Sequence, residues 1–301
     1  MKFDKQPITF EQQVELLIER GLVVEDKDKA SFYLSHIHYY RFGSYAWSFV
    51  EDHQNHIFVK DTTFEQVLDL YIFDRELRLL MLDAIERIET SFRTQWSYHL
   101  SHTYGSHPHL NKRLLSDNAG YDKQCEKLQL ALNRTDDSPI KHQLHKYDEE
   151  MPAIWVVCEV MSLGQLSYWY KNLRIEKDAR TIAKAYGLHH KALNSYLHHL
   201  TTVRNLCAHH SRLWNREFTF KMKLPTKGNR DLLDSFNQKA EKQIYNTLVM
   251  TEYLVDRLSP NHHWKERLKA LIDKHESTDL STMGFPEGWL SLPIWKKKNE
   301  V

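Results

Sequence analysis

Two imidazoles, three guanidiniums and two carboxamides fall within the fourteen residues Val203-Arg204-Asn205-Leu206-Cys207-Ala208-His209-His210-Ser211-Arg212-Leu213-Trp214-Asn215-Arg216. No second cysteine or carboxylate stands at metal-ligand spacing, so the set is poorly built for zinc. It suits acid-base work at a phosphodiester instead. Imidazole exchanges a proton near neutral pH, and guanidinium stabilises the charge that grows on a phosphate. When the substrate is RNA, its own 2′-OH supplies the nucleophile, so no metal and no other cofactor is expected.

The pattern predicts a helix over Leu188 to His210. Leu193, Leu197, Leu200 and Cys207 form its apolar stripe, and Arg204 falls within about 40° of that stripe. A cation there needs a buried acceptor, and Glu159, in an otherwise apolar segment, is the first choice. One reading is therefore purely structural: an Arg204–Glu159 pair, with His209 and His210 capping a helix C-terminus. The chemical reading meets a geometric obstacle, because Arg204 and His209 are five residues apart, or about 140° on a regular helix. Either the helix stops or distorts between them, or a homodimer shares its sites across a two-fold axis near His209 and His210. In that arrangement His210, Arg212 and Arg216 line an RNA-accommodating cleft.

Other segments must position this one. Only 9 Gly and 8 Pro in 301 residues lie well below the usual roughly 7% and 5%, which favours long helices over turn-rich or Gly-loop folds. Helices are expected at Thr9 to Arg20, from Asp26, at Thr63 to Leu100, Trp155 to Tyr170, Asp231 to Leu258 and His262 to His275. In the third, Leu77, Met81, Ala84, Ile85, Ile88 and Phe92 share one face, with Arg75, Arg78, Glu86, Glu89 and Arg93 opposite as a solvated or dimer-facing surface. Residues 48 to 62 are left as a hairpin or loop, 101 to 150 as loops with one short helix near 121 to 133. The Trp- and Pro-punctuated end, Met283 to Lys298, is expected to lie extended.

The whole reads as an all-α single domain: an N-terminal helical extension (1–62), a bundle (63–275) and an extended C-terminal tail (276–301). With 41% hydrophobic and 27% charged residues and a formal charge of +1, the composition is globular, and an RNA partner must be met by a local basic patch. Three cysteines, Cys125, Cys158 and Cys207, at long spacings suit free thiols in the cytoplasm. The opening residues lack an apolar signal segment and no apolar run is long enough to span a bilayer, so no membrane association is expected. Tyr39, Tyr40, Arg41 and Tyr45 suit either core packing or base stacking and phosphate contact, Tyr40 and Arg41 being the candidate RNA ligands. Lys296-Lys297-Lys298 reads as a solvated tail.

Arg204-Asn205-Leu206-Cys207-Ala208-His209 resembles the R-x4-H motif of HEPN ribonucleases, and the run to Arg216 is similar to the signature of Abi-like proteins of the AbiD/AbiF type. Further blocks resemble that family in order: His38-Tyr39-Tyr40-Arg41-Phe42-Gly43-Ser44-Tyr45, Phe73-Asp74-Arg75-Glu76-Leu77-Arg78 with Glu86-Arg87-Ile88-Glu89, Pro152-Ala153-Ile154-Trp155 with Met161-Ser162-Leu163-Gly164, and Met283-Gly284-Phe285-Pro286. Residues 101 to 150 match nothing, and Phe42 and Ser44 depart from the commoner leucine, serine and glycine combinations. The resemblance implies a HEPN-like helical bundle related to the nuclease domains of RNA-targeting CRISPR effectors. It also implies a metal-independent endoribonuclease toxin of abortive-infection or toxin–antitoxin defence, held in check by a small noncoding RNA. On this sequence Arg204 and His209 would be the catalytic pair, with Asn205 orienting the histidine or the phosphate. The rival expectation is a non-catalytic RNA-binding regulatory module of the same fold.

Overall fold

The computed structural model describes residues 6–296. Met1 to Lys5 lie outside the described residues, as do Lys297 and Lys298 of the terminal lysine run. Thirteen α-helices follow one another among the described residues: α1 (Phe10–Glu19), α2 (Lys27–Ile37), α3 (Tyr39–Ala46), α4 (Phe64–Tyr104), α5 (Asn118–Arg134), α6 (Ser138–Lys146), α7 (Ile154–Val160), α8 (Leu163–Lys171), α9 (Glu176–Ala185), α10 (His190–Ala208), α11 (Arg230–Leu233), α12 (Tyr245–Leu258) and α13 (Trp264–Lys274). The fold is all-α. Its only sheet among these residues is a two-stranded antiparallel ribbon, β1 (Val50–Asp52) with β2 (Ile57–Phe58), in the stretch the sequence leaves as hairpin or loop. No helix among the described residues is long and apolar enough to cross a membrane.

The described residues divide into two compact units, 6–77 with 268–278, and 78–267 with 279–296. In the first, Thr9 closes a capping box with Gln12 at the start of α1, and Asp26 caps α2 through Lys29 N. Phe42 stacks on Phe64 at 4.6 Å, and the buried Tyr45 hydroxyl donates to Asp74 Oδ2 at 2.6 Å. Tyr39 accepts a hydrogen bond from Arg20 Nη1 at 2.9 Å. Two of the three tyrosines of that aromatic block are thus structural, and Tyr40, 82% exposed, is the one left facing solvent.

In the second unit the apolar stripe of α4 is buried as its periodicity predicts, from Met81 through Phe92 to Trp96 and Leu100. The charged residues set opposite are not uniformly solvated: Arg78 is only 4% exposed. The apolar run expected as one helix from Trp155 to Tyr170 breaks at Met161 and Ser162. The serine builds its own capping box with Gln165 and starts α8 there. Gly164 then lets α8 approach α10, since a Cβ at that position would stand 3.2 Å from Thr201 Cγ2. The expected Asp231 to Leu258 helix survives only as the single turn α11 and, after an irregular stretch, α12. The C-terminal segment forms three short 3-10 turns where an extended tail is expected, and its Trp295 indole donates to Tyr245 Oη at 3.1 Å.

Helix α12 is buried on every face from Tyr245 to Val255, and two of its threonines bond to α10. Tyr196 and Thr251 hydroxyls meet at 2.8 Å, as do His199 Nε2 and Thr247 Oγ1. Burial pushes His199 and His109 down to about 4 from the ordinary imidazole value of 6.5. Burial, aided by Asp256, pushes Glu252 up to about 8 against the opposing pull of Lys265.

These shifts have opposite signs in stability. The unfolded chain binds more protons than the folded one at both histidines between about 4 and 6.5, so stability rises with pH there. The folded chain holds the Glu252 proton from about 4.5 to 8, so that contribution falls as pH rises. Thermal unfolding is therefore expected to show the contribution of these groups peaking near pH 6.5 and declining by ~2 kcal/mol towards pH 8. Glu252→Gln should flatten the alkaline limb, and an unchanged limb in that variant would refute the assignment.

Candidate functional site

Helix α10 buries Leu193, Tyr196, Leu197, Leu200, Val203 and Cys207 and carries the candidate residues at its C-terminal end. The last carbonyls of a helix have no partner within it. Here the chain turns to satisfy them: His210 N donates to Cys207 O at 3.1 Å and Ser211 N to Leu206 O at 2.8 Å. This Schellman closure requires a left-handed residue, and His210 fills that place with φ 55°. Glycine would take it without strain, so an imidazole here stands against local preference. Leu213 and Trp214, both buried, anchor the chain as it leaves the turn. Arg216 Nε donates back to Arg212 O at 2.7 Å, and the Arg212 guanidinium lies 5.9 Å from the Trp214 ring centre.

The result is a fixed rim. Asn205, His209 and His210 are exposed, and Arg204, Arg212 and Arg216 are half-buried. Arg204 does not enter the core. Its Nη1 donates to Asn205 Oδ1 at 3.4 Å, an exposed contact. The helix stops at Ala208, one residue before His209, whose φ of −93° and ψ of 15° keep it close to the helical path. The distortion therefore comes after the pair and leaves the separation of about 140° between Arg204 and His209 in place.

Glu159 is not the partner of Arg204. Its side chain is 58% exposed and pairs with Arg93 at 3.5 Å. Arg93 is the residue whose role the sequence does not announce, because it sits on a face of α4 read as solvated or dimer-facing. Its guanidinium pairs with Glu89 on its own helix, and donates to Glu159 O at 3.1 Å and Met161 O at 2.7 Å. Those carbonyls terminate α7, so Arg93 holds the break that admits Ser162, Gly164 and the close approach to α10. Tyr40 and Arg41 belong to the other compact unit, and Arg41 is half-buried.

One group of side chains among the described residues has donor atoms close enough for a cation: Glu252, Asp256 and His262, within 4.8 Å of one another. Its hydrogen bonding does not fit a metal. His262 Nδ1 accepts from Trp264 N at 2.9 Å, which leaves the ring proton on Nε2, the atom facing Asp256 Oδ1 at 3.1 Å. A histidine bound to metal through Nε2 donates its other N–H instead. Lys265 Nζ, 3.5 Å from Glu252 Oε1, already brings a positive charge to the cluster.

The family model described as Abi-like protein matches residues 32–215. The chain belongs to the Abi-like family. No curated protein and no solved structure matches it. The matched span of this Abi-like protein contains Tyr40, Arg41, Glu159 and the rim from Arg204 to Asn215, and it ends one residue before Arg216. Helices α11 to α13 lie beyond it.

Arg93→Ala in the Abi-like protein is expected to cost about 2–4 kcal/mol, because it orphans two helix-end carbonyls and Glu89. Glu159→Ala should cost less than about 1 kcal/mol, as for an exposed pair. Denaturant unfolding of both variants checks this, and an equal loss would contradict the arrangement.

Proposed function

We propose that this Abi-like protein is a metal-independent endoribonuclease acting in the cytoplasm as the toxin of an abortive-infection or toxin–antitoxin system. The supporting observation is the rim at the end of α10. There Arg204, Asn205 and His209 crowd one helix terminus whose closing turn is fixed by backbone hydrogen bonds and by buried Leu213 and Trp214. His209 takes the proton of a ribose 2′-OH, and the 2′-oxygen attacks the adjacent phosphorus. The bond from phosphorus to the 5′-oxygen breaks, that oxygen receives a proton, and the products are a 2′,3′-cyclic phosphate and a 5′-hydroxyl. Arg204 stabilises the charge gathering on the non-bridging oxygens, and Asn205 orients the histidine or the phosphate.

Because Arg204 and His209 diverge on the helix, a shared site in a homodimer is the assembly that brings both to one phosphate. His210, Arg212 and Arg216 would line the cleft, and a small noncoding RNA would inhibit by filling it. Tyr40 and Arg41 remain candidates for a second RNA contact. The same divergence in a monomer would favour a regulatory module that binds RNA without cutting it.

Purified protein in EDTA should leave 2′,3′-cyclic phosphate ends on RNA. Arg204→Ala and His209→Ala should each lower cleavage by about 10²-fold or more, with stability within about 0.5 kcal/mol of wild type. Toxicity to a bacterial host should vanish with cleavage. Mixing the two inactive proteins restores cleavage only if the site is shared between chains. Folded variants that keep full activity would overturn the catalytic assignment, and salt-sensitive binding without cleavage would establish the regulatory reading.

A further inference from the structure

One aromatic arrangement on α10 is not needed by the core. His198 is exposed, and its imidazole stacks on Phe220 with ring centres 4.6 Å apart and planes 24° from parallel. Phe220 also meets buried His199 nearly at right angles, ring centres 5.6 Å apart, and Phe218 packs on the same histidine at 4.6 Å. The stretch of chain carrying both phenylalanines is pinned at each side: Phe218 N donates to Lys242 O and Lys223 N to Ser195 Oγ, each at 2.9 Å. His199 is itself fixed to Thr247. The backbone on both sides of Phe220 and the ring of His199 beside it are thus held before any ligand arrives, which lowers the ordering cost of binding.

Its position along the helix gives it a direction. With a step of 100° per residue, His198, Thr202, Asn205 and His209 lie within about 60° of one another, and His198 and His209 are about 16 Å apart along the axis. One exposed face of one helix therefore carries a flat ring platform at one end and the candidate acid-base histidine at the other.

We propose that the His198–Phe220 stack is a base-stacking subsite for single-stranded RNA lying along this face of α10 towards His209. The inference rests on the endoribonuclease reading for its substrate. Single strands are the form of RNA that fits, because a base must be unstacked to lie on a protein ring, and every base offers a π-face whatever its identity. Duplex RNA keeps its bases stacked on each other and gains nothing from the platform.

The test uses the full chain and a fluorescent 2′-O-methyl decauridine, which has no free 2′-OH and cannot be cut. His198→Ala should weaken binding about tenfold, as for loss of one base–aromatic stack, and His198→Phe should restore it. With a cleavable decauridine, His198→Ala should raise KM and leave kcat unchanged. The inhibition constant of a duplex competitor of the same length should be equal for wild type and His198→Ala. Wild-type affinity in His198→Ala, with cleavage intact, overturns the subsite and leaves the ribonuclease standing. Binding that follows the stacking pattern without cleavage of any RNA upholds the subsite and refutes the ribonuclease. No binding of either oligonucleotide by the wild-type protein overturns both.

Discussion

The closing turn of α10 constrains everything at the candidate site. A helix cannot end without answering its last carbonyls, and here the hydrogen bonds from His210 N and Ser211 N answer two of them. They force His210 into a left-handed backbone that an L-residue adopts at a cost. They also send the chain directly into Leu213 and Trp214, whose burial makes the turn permanent. The polar side chains around this turn are consequently held on a rigid base, the condition under which an imidazole and guanidiniums can act on a bound phosphate without reorganising.

Behind that rim, polar groups in the core set how α10 is presented. Tyr196 and His199 bond to Thr251 and Thr247 in the buried stretch of α12, so α10 cannot rotate without breaking them. Arg93 works from the other side. By bonding the carbonyls that end α7 it stabilises the break before α8, and Gly164 brings α8 against Thr201, one turn from Arg204. Glu252, Asp256, His262 and Lys265 make a compact network of proton and ion-pair contacts where α12 gives way to α13. There burial, more than any partner, holds the proton on Glu252.

Much of this was legible in the chain. Periodicity alone marks the buried face of α4, because every third or fourth residue must be apolar on a helix that packs on one side. Thr9 and Asp26 announce their helix starts by capping chemistry. The break at Ser162 carried the same kind of signal, a serine three residues before Gln165, but it was masked by an apolar run long enough to read as one helix. The fate of Glu159 was not readable. A carboxylate in an apolar segment reads as buried, and whether it is depends on which side of a seven-residue helix faces the protein.

The sequence by itself determined the all-α class, the family blocks, the crowding of Arg204, Asn205 and His209 at one helix end, and their angular divergence, because these follow from residue type and a fixed helical step. Tertiary structure decided partners and exposure. It gave Glu159 to Arg93, turned Arg204 outward onto Asn205, tied Tyr39 and Tyr45 into the packed unit while leaving Tyr40 in solvent, and set Phe220 beneath His198. The physical reason is range. Helix periodicity and caps act over four residues, whereas an ion pair or a ring stack joins positions 22 to 66 residues apart and forms only once the intervening chain has packed.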